Sequence, residues 1–500
     1  MKSFSLLAWL SLSLVAGAWT EHFTFEEISG PPGVDPQVGA METLADGRIA
    51  VAFHRGDVMI YDPAAKTWSP FASGLQEPLG MLADKDGSLL VMQRAELTRL
   101  RDTNNDGSAD EYETVFDDFG MSGNYHEFAY GPARDAQGNL YIVLGVASNG
   151  APMAKEIRGE FSKIGKVDFV GMTTRETWGK NRGAAGRMYA RVKWRGWVLK
   201  LSPDGKAMEP FASGFRSPNG IGFDAAGRLL ITDNQGDWRP TSPLYDVKKG
   251  GFYGHPASLV WTPGWDGKDP LSIPVPQLDK MQTPAIGYFP QGELANSPTW
   301  PVVIPSGSFP ANWTKQTLIG EMNQKNLVRV LEDKVDGTLQ TALVPVFNGS
   351  PLGMGSNRLA FGKDGSLFVG KTQLSWAGGK GITRIKWNGK AFLSLDQIKA
   401  QKEGFALRFS QPLDPASLKT LAVSRHTYDY HQAYGAPKKD LTPLEVKNAK
   451  LSADGLTLTF EIGALKENYL HLIDMTGLLG KGGGKVLGNK AWYQVVKAPK

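Results

Sequence analysis

His126 and Arg216 are the residues of this sequence whose types and positions most directly suggest catalysis. His126 lies twelve residues before Gly138, and Arg216 lies eleven residues before Gly227. Both glycines belong to tight turns between two short apolar runs, a pattern that predicts a β-hairpin. Because the hairpins share one frame, both side chains are expected at the same end of their strands, where a histidine can act as a general base and an arginine can stabilise negative charge. The alternative is that His126 is a hydrogen-bonded structural residue.

Further polar residues occupy comparable points of the same frame. Asn219 follows Arg216 in the loop that enters its strand. Asn357 and Arg358 stand at the start of another predicted strand, before a turn at Asp364-Gly365. If these strands surround one axis, a histidine, two arginines and two amides converge on a single cavity, which is the arrangement that a general base with charge stabilisation requires.

An acidic segment between two of the hairpins has the spacing of a calcium loop. Oxygen-bearing side chains stand at positions one, three, five and nine, a glycine stands at six, and a glutamate stands at twelve. A hard cation needs many oxygen ligands, and the glycine permits the sharp turn that lets them converge. No helical pattern flanks the loop, so a structural ion is expected instead of an EF-hand switch. The alternative is an acidic turn. The predicted ligands are Asp102, Asn104, Asp106, Ser108, Asp110 and Glu113.

A second polar loop, residues 233–238 (DNQGDW), follows the hairpin strand that comes after Arg216. Its carboxylates, amides and backbone carbonyls would suit an oxygen-ligated cation. A turn held by side-chain hydrogen bonds is the plainer interpretation.

The repeated frame predicts the fold. Short apolar strands joined by Asp-Gly or related turns recur along the chain, which is typical of a β-propeller, and six blades are expected within residues 36–390. Two spans, 147–195 and 238–313, interrupt the repeats and are expected to be functional loops. From residue 395 to 500 the pattern changes to that of a small immunoglobulin-like β-sandwich. The predicted class is therefore all-β, a six-bladed propeller followed by a sandwich.

Composition narrows the compartment and the partners. Residues 1–18 have a lysine, an apolar run and a small-residue cleavage site, so a secretory signal peptide is predicted and no integral membrane segment is expected after its removal. The 500 residues include no cysteine, which excludes disulfides, thiolate metal sites and a covalently attached c-type haem. An exported chain of this kind points to a bacterial periplasm or to secretion. The net charge of +5 is too small to predict nucleic-acid binding.

The segment GFRSPNGIGF, residues 214–223, resembles a loop of the glucose/sorbosone dehydrogenase family, the soluble PQQ-dependent aldose dehydrogenases. That family is a six-bladed propeller. The resemblance implies that Arg216, Asn219, Asn357 and Arg358 bind PQQ and that His126 takes a proton from the sugar. It also implies calcium at Gly236 and Asp237. The family's lysine that neutralises PQQ has no clear counterpart, and Lys325 is the nearest candidate.

The chain also looks like the large propeller proteins described as membrane-bound dehydrogenases in planctomycetes and verrucomicrobia. The segments SPTW (297–300) and KGGFYGHP (249–256) carry this likeness. The resemblance implies an exported sugar or aldehyde dehydrogenase with PQQ, Ca²⁺ and an external electron acceptor such as a periplasmic cytochrome. Propeller scaffolds host many functions, so a lactonase or lyase and a non-catalytic glycan-binding protein stay open as alternatives.

Overall fold

The structure, a computed structural model, describes residues 18–148, 158–162, 174, 176–177, 188–373 and 378–500. Regular structure in these residues is almost entirely antiparallel β-strand, so the predicted all-β class is confirmed. A short helix, α1, spans Val275–Met281. The predicted signal peptide, except for Ala18, and most of the span 147–195 lie outside the described residues.

Among the described residues, twenty-six strands precede residue 390. The first thirteen are β1 (Phe23–Ile28), β2 (Val38–Thr43), β3 (Ile49–Phe53), β4 (Val58–Asp62), β5 (Thr67–Ala72), β6 (Gly80–Ala83), β7 (Leu89–Met92), β8 (Leu97–Arg101), β9 (Glu111–Phe116), β10 (Ala129–Arg134), β11 (Leu140–Leu144), β12 (Ala147–Ser148) and β13 (Met188–Tyr189). The next thirteen are β14 (Trp197–Leu201), β15 (Met208–Ser213), β16 (Pro218–Phe223), β17 (Leu229–Asp233), β18 (Ser242–Val247), β19 (Gly287–Phe289), β20 (Pro298–Val303), β21 (Thr317–Glu321), β22 (Leu327–Val335), β23 (Thr338–Val346), β24 (Ser356–Phe361), β25 (Leu367–Lys371) and β26 (Ile382–Trp387). The described strands thus include the predicted hairpins at both His126 and Arg216.

Six antiparallel meanders are built from these strands. Their strand orders are β2-β3-β4-β5, β6-β7-β8-β9, β10-β11-β14-β15, β16-β17-β18-β19, β20-β21-β22-β23 and β24-β25-β26-β1. The first strand of each meander contacts the first strand of the next one, in the cyclic order β2, β6, β10, β16, β20, β24 and back to β2. We call this arrangement the ring. Apolar side chains of neighbouring sheets pack against each other, so each sheet is covered on both of its faces.

The ring is closed by the N-terminal segment. β1 pairs with β26 along its whole length, from Phe23 opposite Trp387 to Ile28 opposite Ile382. β1, which lies before residue 36, supplies the fourth strand of the last sheet. Trp19 and Phe23 are buried in an aromatic cluster with Phe309, Trp313 and Phe347. The ring is therefore closed by pairing the first strand of the ring segment, β1, with its last strand, β26.

The span 238–313 was predicted to interrupt the repeats, but in the structure it contributes strands to them. It contains β18, β19 and β20, which complete the fourth sheet and begin the fifth. Many of its prolines and tryptophans lie in the connections between these strands, where α1 and short 3₁₀ turns replace β structure.

The C-terminal residues form two further sheets. Their strands are β27 (Leu395–Gln401), β28 (Gly404–Phe409), β29 (Ala422–Thr427), β30 (Lys439–Leu444), β31 (Lys447–Leu451), β32 (Thr457–Glu461), β33 (Tyr469–Asp474) and β34 (Lys490–Val495). One sheet has the order β27-β28-β32-β31, and the other, β34-β33-β29-β30, continues directly from β23. Ala342 and Leu343 of β23 pair with Tyr493 and Trp492 of β34. A single apolar core lies between the two sheets and includes Leu331 of the ring. The C-terminal segment is therefore joined to the ring by a continuous eight-stranded sheet.

In the part of the chain that the structure describes, no helix has the length and the apolar character that crossing a membrane would require.

Candidate functional site

One cavity of about 280 Å³ lies where the connections at one edge of the ring meet. In each sheet the residue before the first strand and the residue after the second strand stand at the same end, because the two strands are antiparallel. Four cavity residues directly precede a first strand: Leu79, Phe128, Ser217 and Ser297. Four directly follow a second strand: His54, Asn234, Met322 and Thr372. The repeated hairpin frame therefore delivers one set of side chains from each sheet to a common space.

The structure brings together four of the predicted site residues. His126, Arg216, Asn219 and Asn357 all line the cavity. Arg358 does not line it, but its guanidinium hydrogen-bonds to Asn219 and Asn357, which do.

Lys325 is not part of the cavity. It is exposed in the turn between β21 and β22, with a left-handed φ of 57°. The expectation that Lys325 binds a cofactor is therefore not supported by its position. Its place in the sequence, near a strand end, did not reveal which way the turn directs its side chain.

His126 is held in one tautomer by its neighbour. Its Nδ1 lies 3.2 Å from the carbonyl oxygen of Val146. A carbonyl oxygen only accepts hydrogen bonds, so Nδ1 carries the proton and Nε2 keeps a lone pair. Burial, and after it the charge of Arg216, lower the pKa of His126 to about 4. The ring is therefore neutral at physiological pH, with a basic nitrogen available on a residue that lines the cavity.

Arg216 is fixed on three sides. Its Nε donates to Asp237 Oδ1 at 2.8 Å, and Nη1 donates to the carbonyl oxygen of Gln235 at 3.2 Å. The ring of Tyr434 lies 5.4 Å from its guanidinium carbon, a cation–π contact. Arg216 is 4% exposed, so these contacts hold a nearly buried charge at the cavity wall. Sequence reasoning missed Tyr434, because it belongs to the C-terminal segment.

A buried carboxylate beneath this wall organises the loop that carries Arg216. Asp233 accepts hydrogen bonds from the backbone N–H groups of Arg216, Ser217 and Asn234, at 2.8, 2.7 and 2.8 Å. It also pairs with Arg239 at 3.2 Å, and both side chains are almost completely buried. The conformation of the loop that carries Arg216 thus depends on the Asp233 carboxylate and on its ion pair with Arg239.

Asp237, which was expected to be a calcium ligand, is committed to other partners. Its carboxylate accepts from Arg216 and lies 3.3 Å from His255 Nε2. Burial opposes ionisation, but the hydrogen bond from His255 and the charge and hydrogen bond of Arg216 lower the pKa of Asp237 well below its usual range. The carbonyl oxygen of Gly236 accepts from the N–H of Gly435 at 2.8 Å. The predicted calcium site at Gly236 and Asp237 therefore does not match the arrangement of these oxygens.

The predicted calcium loop is also only partly assembled. Asp102 accepts hydrogen bonds from the N–H groups of Asp106 and Gly107, so the start of the loop curls as expected. Glu113, however, lies in β9 and pairs with Arg101 across the hairpin, at 2.7 Å. Asp110 instead accepts two hydrogen bonds from Thr103. Asp102, Asp110 and Glu113 therefore have separate partners in the structure, and within the described residues no group of three or more acidic, histidine or cysteine side chains is placed to hold a metal. The calcium loop stays a prediction.

Arg358 forms the polar floor beneath the cavity. Its Nη1 donates to Asn219 Oδ1 at 3.1 Å and to Asn357 Oδ1 at 2.8 Å, and Nη2 donates to the carbonyl oxygen of Leu79 at 2.8 Å. Its partners are neutral oxygens, and burial lowers the pKa of Arg358 to about 10. Its Nε is buried without a hydrogen bond. Three sheets are thus cross-linked by one guanidinium that lacks a carboxylate partner.

The rest of the lining is neutral and rich in hydrogen-bonding groups. No aspartate, glutamate or lysine is among the described residues that line the cavity. Six amide side chains line it: Asn219, Asn234, Gln235, Gln291, Asn296 and Asn357. Hydroxyl and aromatic side chains also line it: Ser148, Ser217, Ser297, Thr372, Tyr125, Tyr130, Tyr434 and Phe128. Leu79, Met188 and Met322 add an apolar part. Such a surface suits a polyhydroxylated or anionic ligand, since it offers many donors and no repelling carboxylate.

His54 is a cavity residue that sequence reasoning missed. It follows β3 directly and is 6% exposed, and neither ring nitrogen has a hydrogen-bond partner. Burial, and then the charge of Arg358, lower the pKa of His54 to about 3. Its position after a second strand, equivalent to that of Asn234, was the available signal.

The buried histidines predict how stability depends on pH. Burial is the main reason why the pKa falls to about 3 for His54 and His471 and to about 4 for His126 and His426. The unfolded chain binds these protons near pH 6.5, so it holds more protons than the folded chain between pH 6.5 and 4. We expect each histidine to lower the free energy of unfolding by roughly 1.4 kcal/mol per pH unit as the pH falls through this window. Glu42, whose pKa burial raises to about 7, has the opposite sign.

Unfolding midpoints measured by circular dichroism between pH 7 and pH 4 test this expectation. His54→Leu removes one titrating group and should make the decline shallower. An unchanged slope in this variant would show that His54 is not a buried neutral group.

One protein family, described as a domain of unknown function (DUF7133), matches residues 61–194. No curated protein matches. Solved structures resemble this chain, and the three described below each cover 73% of it. The PQQ-bound aldose sugar dehydrogenase from Streptomyces coelicolor is 13% identical, covered over 98% of its length, with a TM-score of 0.46.

Two further structures span different activities. The PQQ domain of pyranose dehydrogenase from Coprinopsis cinerea is 10% identical, covered over 95% of its length, with a TM-score of 0.48. A luciferin-regenerating enzyme is 11% identical, covered over 96% of its length, with a TM-score of 0.44. Similarity at this level does not assign an activity to this chain.

Proposed function

We propose that the ring is a six-bladed β-propeller spanning residues 36–390 with β1 as an added closing strand, and that residues 395–500 form a sandwich of the immunoglobulin-like class. The cyclic contacts of six four-stranded sheets support the first part. The shared apolar core between two antiparallel sheets supports the second.

We propose that the chain is an exported, quinoprotein-type dehydrogenase that oxidises a sugar or small aldehyde at a hemiacetal or aldehyde carbon. One observation carries the proposal: the lone pair of His126 Nε2 belongs to a cavity residue, beside a fixed guanidinium, in a lining of amides and hydroxyls without a carboxylate. A sugar hydroxyl needs a base that is neutral at working pH, and a neutral imidazole meets that requirement.

The donor set fits the acidic quinone PQQ. Arg216 at the wall, and Arg358 beneath the floor without a carboxylate partner, supply positive charge that would hold its carboxylates. Asn219 and Asn357 would position the Arg358 charge, since both accept hydrogen bonds from its guanidinium. Two unpartnered nitrogens of His54 offer further hydrogen bonds. When bound, PQQ would accept the two electrons that leave the substrate carbon. Two of the structurally similar proteins are described as PQQ-bound or as a PQQ domain.

The chain's own residues would perform the remaining steps. His126 Nε2 takes the hydroxyl proton while Nδ1–H stays anchored on the Val146 carbonyl, which keeps the imidazole oriented as it becomes charged. Arg216 stabilises negative charge that develops at the cavity wall, and its own ion pair with Asp237 keeps it in place. The amide groups orient the hydroxyls of the sugar ring.

Calcium beside the cavity does not fit these residues, since Asp237 and the Gly236 carbonyl already have partners. No step of the proposed reaction uses it. A lactonase with a side-chain-ligated metal is disfavoured by the same donor set, because the described residues lack a ligand cluster. The external electron acceptor and export to the periplasm or medium remain parts of the proposal.

Absorbance titration of the signal-free protein with PQQ, in the presence and absence of Ca²⁺, tests the proposal. We expect saturable PQQ binding that does not depend on Ca²⁺, followed by bleaching of the quinone when a binding aldose is added. Absence of PQQ binding at micromolar concentration would refute the quinoprotein class. Turnover of a lactone or a glycan without PQQ would favour the lactonase or lyase alternative.

A further inference from the structure

The cavity is completed by a segment from outside the ring. Residues 428–438, which connect β29 to β30 in the C-terminal sheets, cross to the ring and lie against the loop that carries Asp237. We call this segment the strap. Because its two flanking strands belong to the eight-stranded sheet that continues from β23, the strap is anchored at both ends to a rigid element.

The strap is attached to the ring by backbone hydrogen bonds. The N–H of Gly435 donates to the Gly236 carbonyl at 2.8 Å, and the N–H of Ala436 donates to the Pro240 carbonyl at 2.9 Å. Gly435 has a φ of 65°, and a Cβ there would lie 2.8 Å from Gln235 Nε2. The left-handed φ favours glycine here, and any side chain would have to displace the end of the Gln235 side chain.

Side-chain contacts hold both ends of the strap against the ring. The hydroxyl of Tyr430 donates to the Gly254 carbonyl at 2.6 Å, and its ring packs 5.3 Å from that of Trp238. Lys438 forms an ion pair with Glu293 of the ring. The strap thus has contacts with the ring along its whole length.

Tyr434 is the strap residue that reaches the cavity. It lines the cavity and its ring packs on the Arg216 guanidinium, yet it is 45% exposed. Its ring therefore stands at the mouth, with one part over Arg216 and another part open to solvent. Aromatic rings at the mouth of a neutral, amide-lined cavity offer an apolar face on which the C–H face of a sugar can stack.

We propose that the strap is a wall of this cavity, and that Tyr434 stacks on the sugar ring while it holds Arg216 in position. The inference rests on the proposed function for its ligand class. It assigns to the C-terminal sheets a part in substrate binding.

The first test needs no ligand. Hydrogen exchange followed by mass spectrometry compares Gly435→Val with Gly463→Val. Gly463 lies in the same C-terminal segment with a φ of 82°, but no atom lies within 4 Å of the position of its Cβ. Peptides covering residues 430–438 and 234–240 should both exchange faster in Gly435→Val and not in Gly463→Val. Unchanged exchange at 234–240 would overturn the seating of the strap on the ring.

The second test measures sugar affinity by calorimetric titration of the full chain with glucose, galactose and xylose. Tyr434→Ala should weaken binding of the preferred sugar by roughly tenfold, because a stacking face and a cation–π contact are lost. Tyr434→Phe should keep most of the affinity. Tyr112→Ala is the matched control, since Tyr112 is 46% exposed and does not line the cavity.

The two tests separate the possible failures. Equal affinity in Tyr434→Ala and the wild type would overturn the stacking role and leave the dehydrogenase proposal intact. Failure of the wild type to bind any of the three sugars, together with failure to bind PQQ, would overturn the stacking role and the proposed function together. The hydrogen-exchange result would still decide whether the strap is seated on the ring.

Discussion

Replacing His126 with alanine is expected to lower the turnover of the sugar substrate by about 10²–10⁴-fold, the usual contribution of a positioned general base. The reason is the tautomer that the Val146 carbonyl imposes, which leaves Nε2 as the basic nitrogen at the cavity. PQQ affinity and thermal stability should change little, because His126 makes one side-chain hydrogen bond and carries no charge at neutral pH. Single-turnover bleaching of the quinone would measure the effect on the chemical step alone.

His22→Ala is the control for this substitution. His22 contacts the Lys390 carbonyl at the outer edge of the ring and does not line the cavity. The His22→Ala variant should turn over the sugar substrate at the wild-type rate. If His126→Ala turned over sugar at the wild-type rate, His126 would be excluded as the base, and the structural interpretation of this histidine would stand.

Replacing Asp233 with alanine is expected to destabilise the ring by about 3–5 kcal/mol, the range seen when one partner of a buried ion pair is removed. The change would leave the guanidinium of Arg239 buried without its carboxylate, and the backbone N–H groups of Arg216 and Ser217 would lose their acceptor. Each unsatisfied buried donor adds to the loss. Urea denaturation followed by tryptophan fluorescence would measure the shift in midpoint.

Asp46→Ala is the matched control for Asp233→Ala. Asp46 also accepts a backbone N–H in a turn and pairs with an arginine, Arg48, but both side chains are about half exposed. Exposed pairs contribute only about 0–1 kcal/mol, so a small shift is expected. Asp233→Asn should fall between the two, since it keeps an acceptor oxygen and loses the charge. A shift for Asp233→Ala no larger than that for Asp46→Ala would contradict the proposed role of the buried pair.

The hairpins could be predicted from the sequence because their signals are local. The apolar runs on either side of Gly138 and Gly227 lie within about fifteen residues of each other, and the turn residues fix which strands pair. The same frame placed His126, Arg216, Asn219 and Asn357 at equivalent strand ends, so their convergence on one cavity followed from the repeat.

The parts that could not be predicted depend on contacts between distant segments. Closure of the last sheet by β1 and continuation of the fifth sheet into the C-terminal strands are pairings between regions far apart in the chain. No turn chemistry specifies such a pairing. It is set by which sheet edges and apolar faces meet when the whole chain is folded.

The same distinction explains the metal predictions. The spacing from Asp102 to Glu113 is that of a calcium loop, but β9 begins inside the loop and carries Glu113 to Arg101. The Asp237 carboxylate is likewise taken by Arg216 and His255, eighteen or more residues away. A ligand pattern in the sequence indicates which oxygens are present. The residues that compete with a metal for these oxygens are known only from the folded structure.

By itself, then, the sequence determined the all-β class, the hairpins and the residues that each hairpin brings to the cavity edge. Tertiary structure alone decided which charges neutralise each other, that Lys325 points away, and that Tyr434 from the C-terminal segment covers Arg216. The physical reason is range: turn and strand preferences act between near neighbours, whereas ion pairing and cavity walls depend on side chains that only the complete fold brings within a few ångströms of each other.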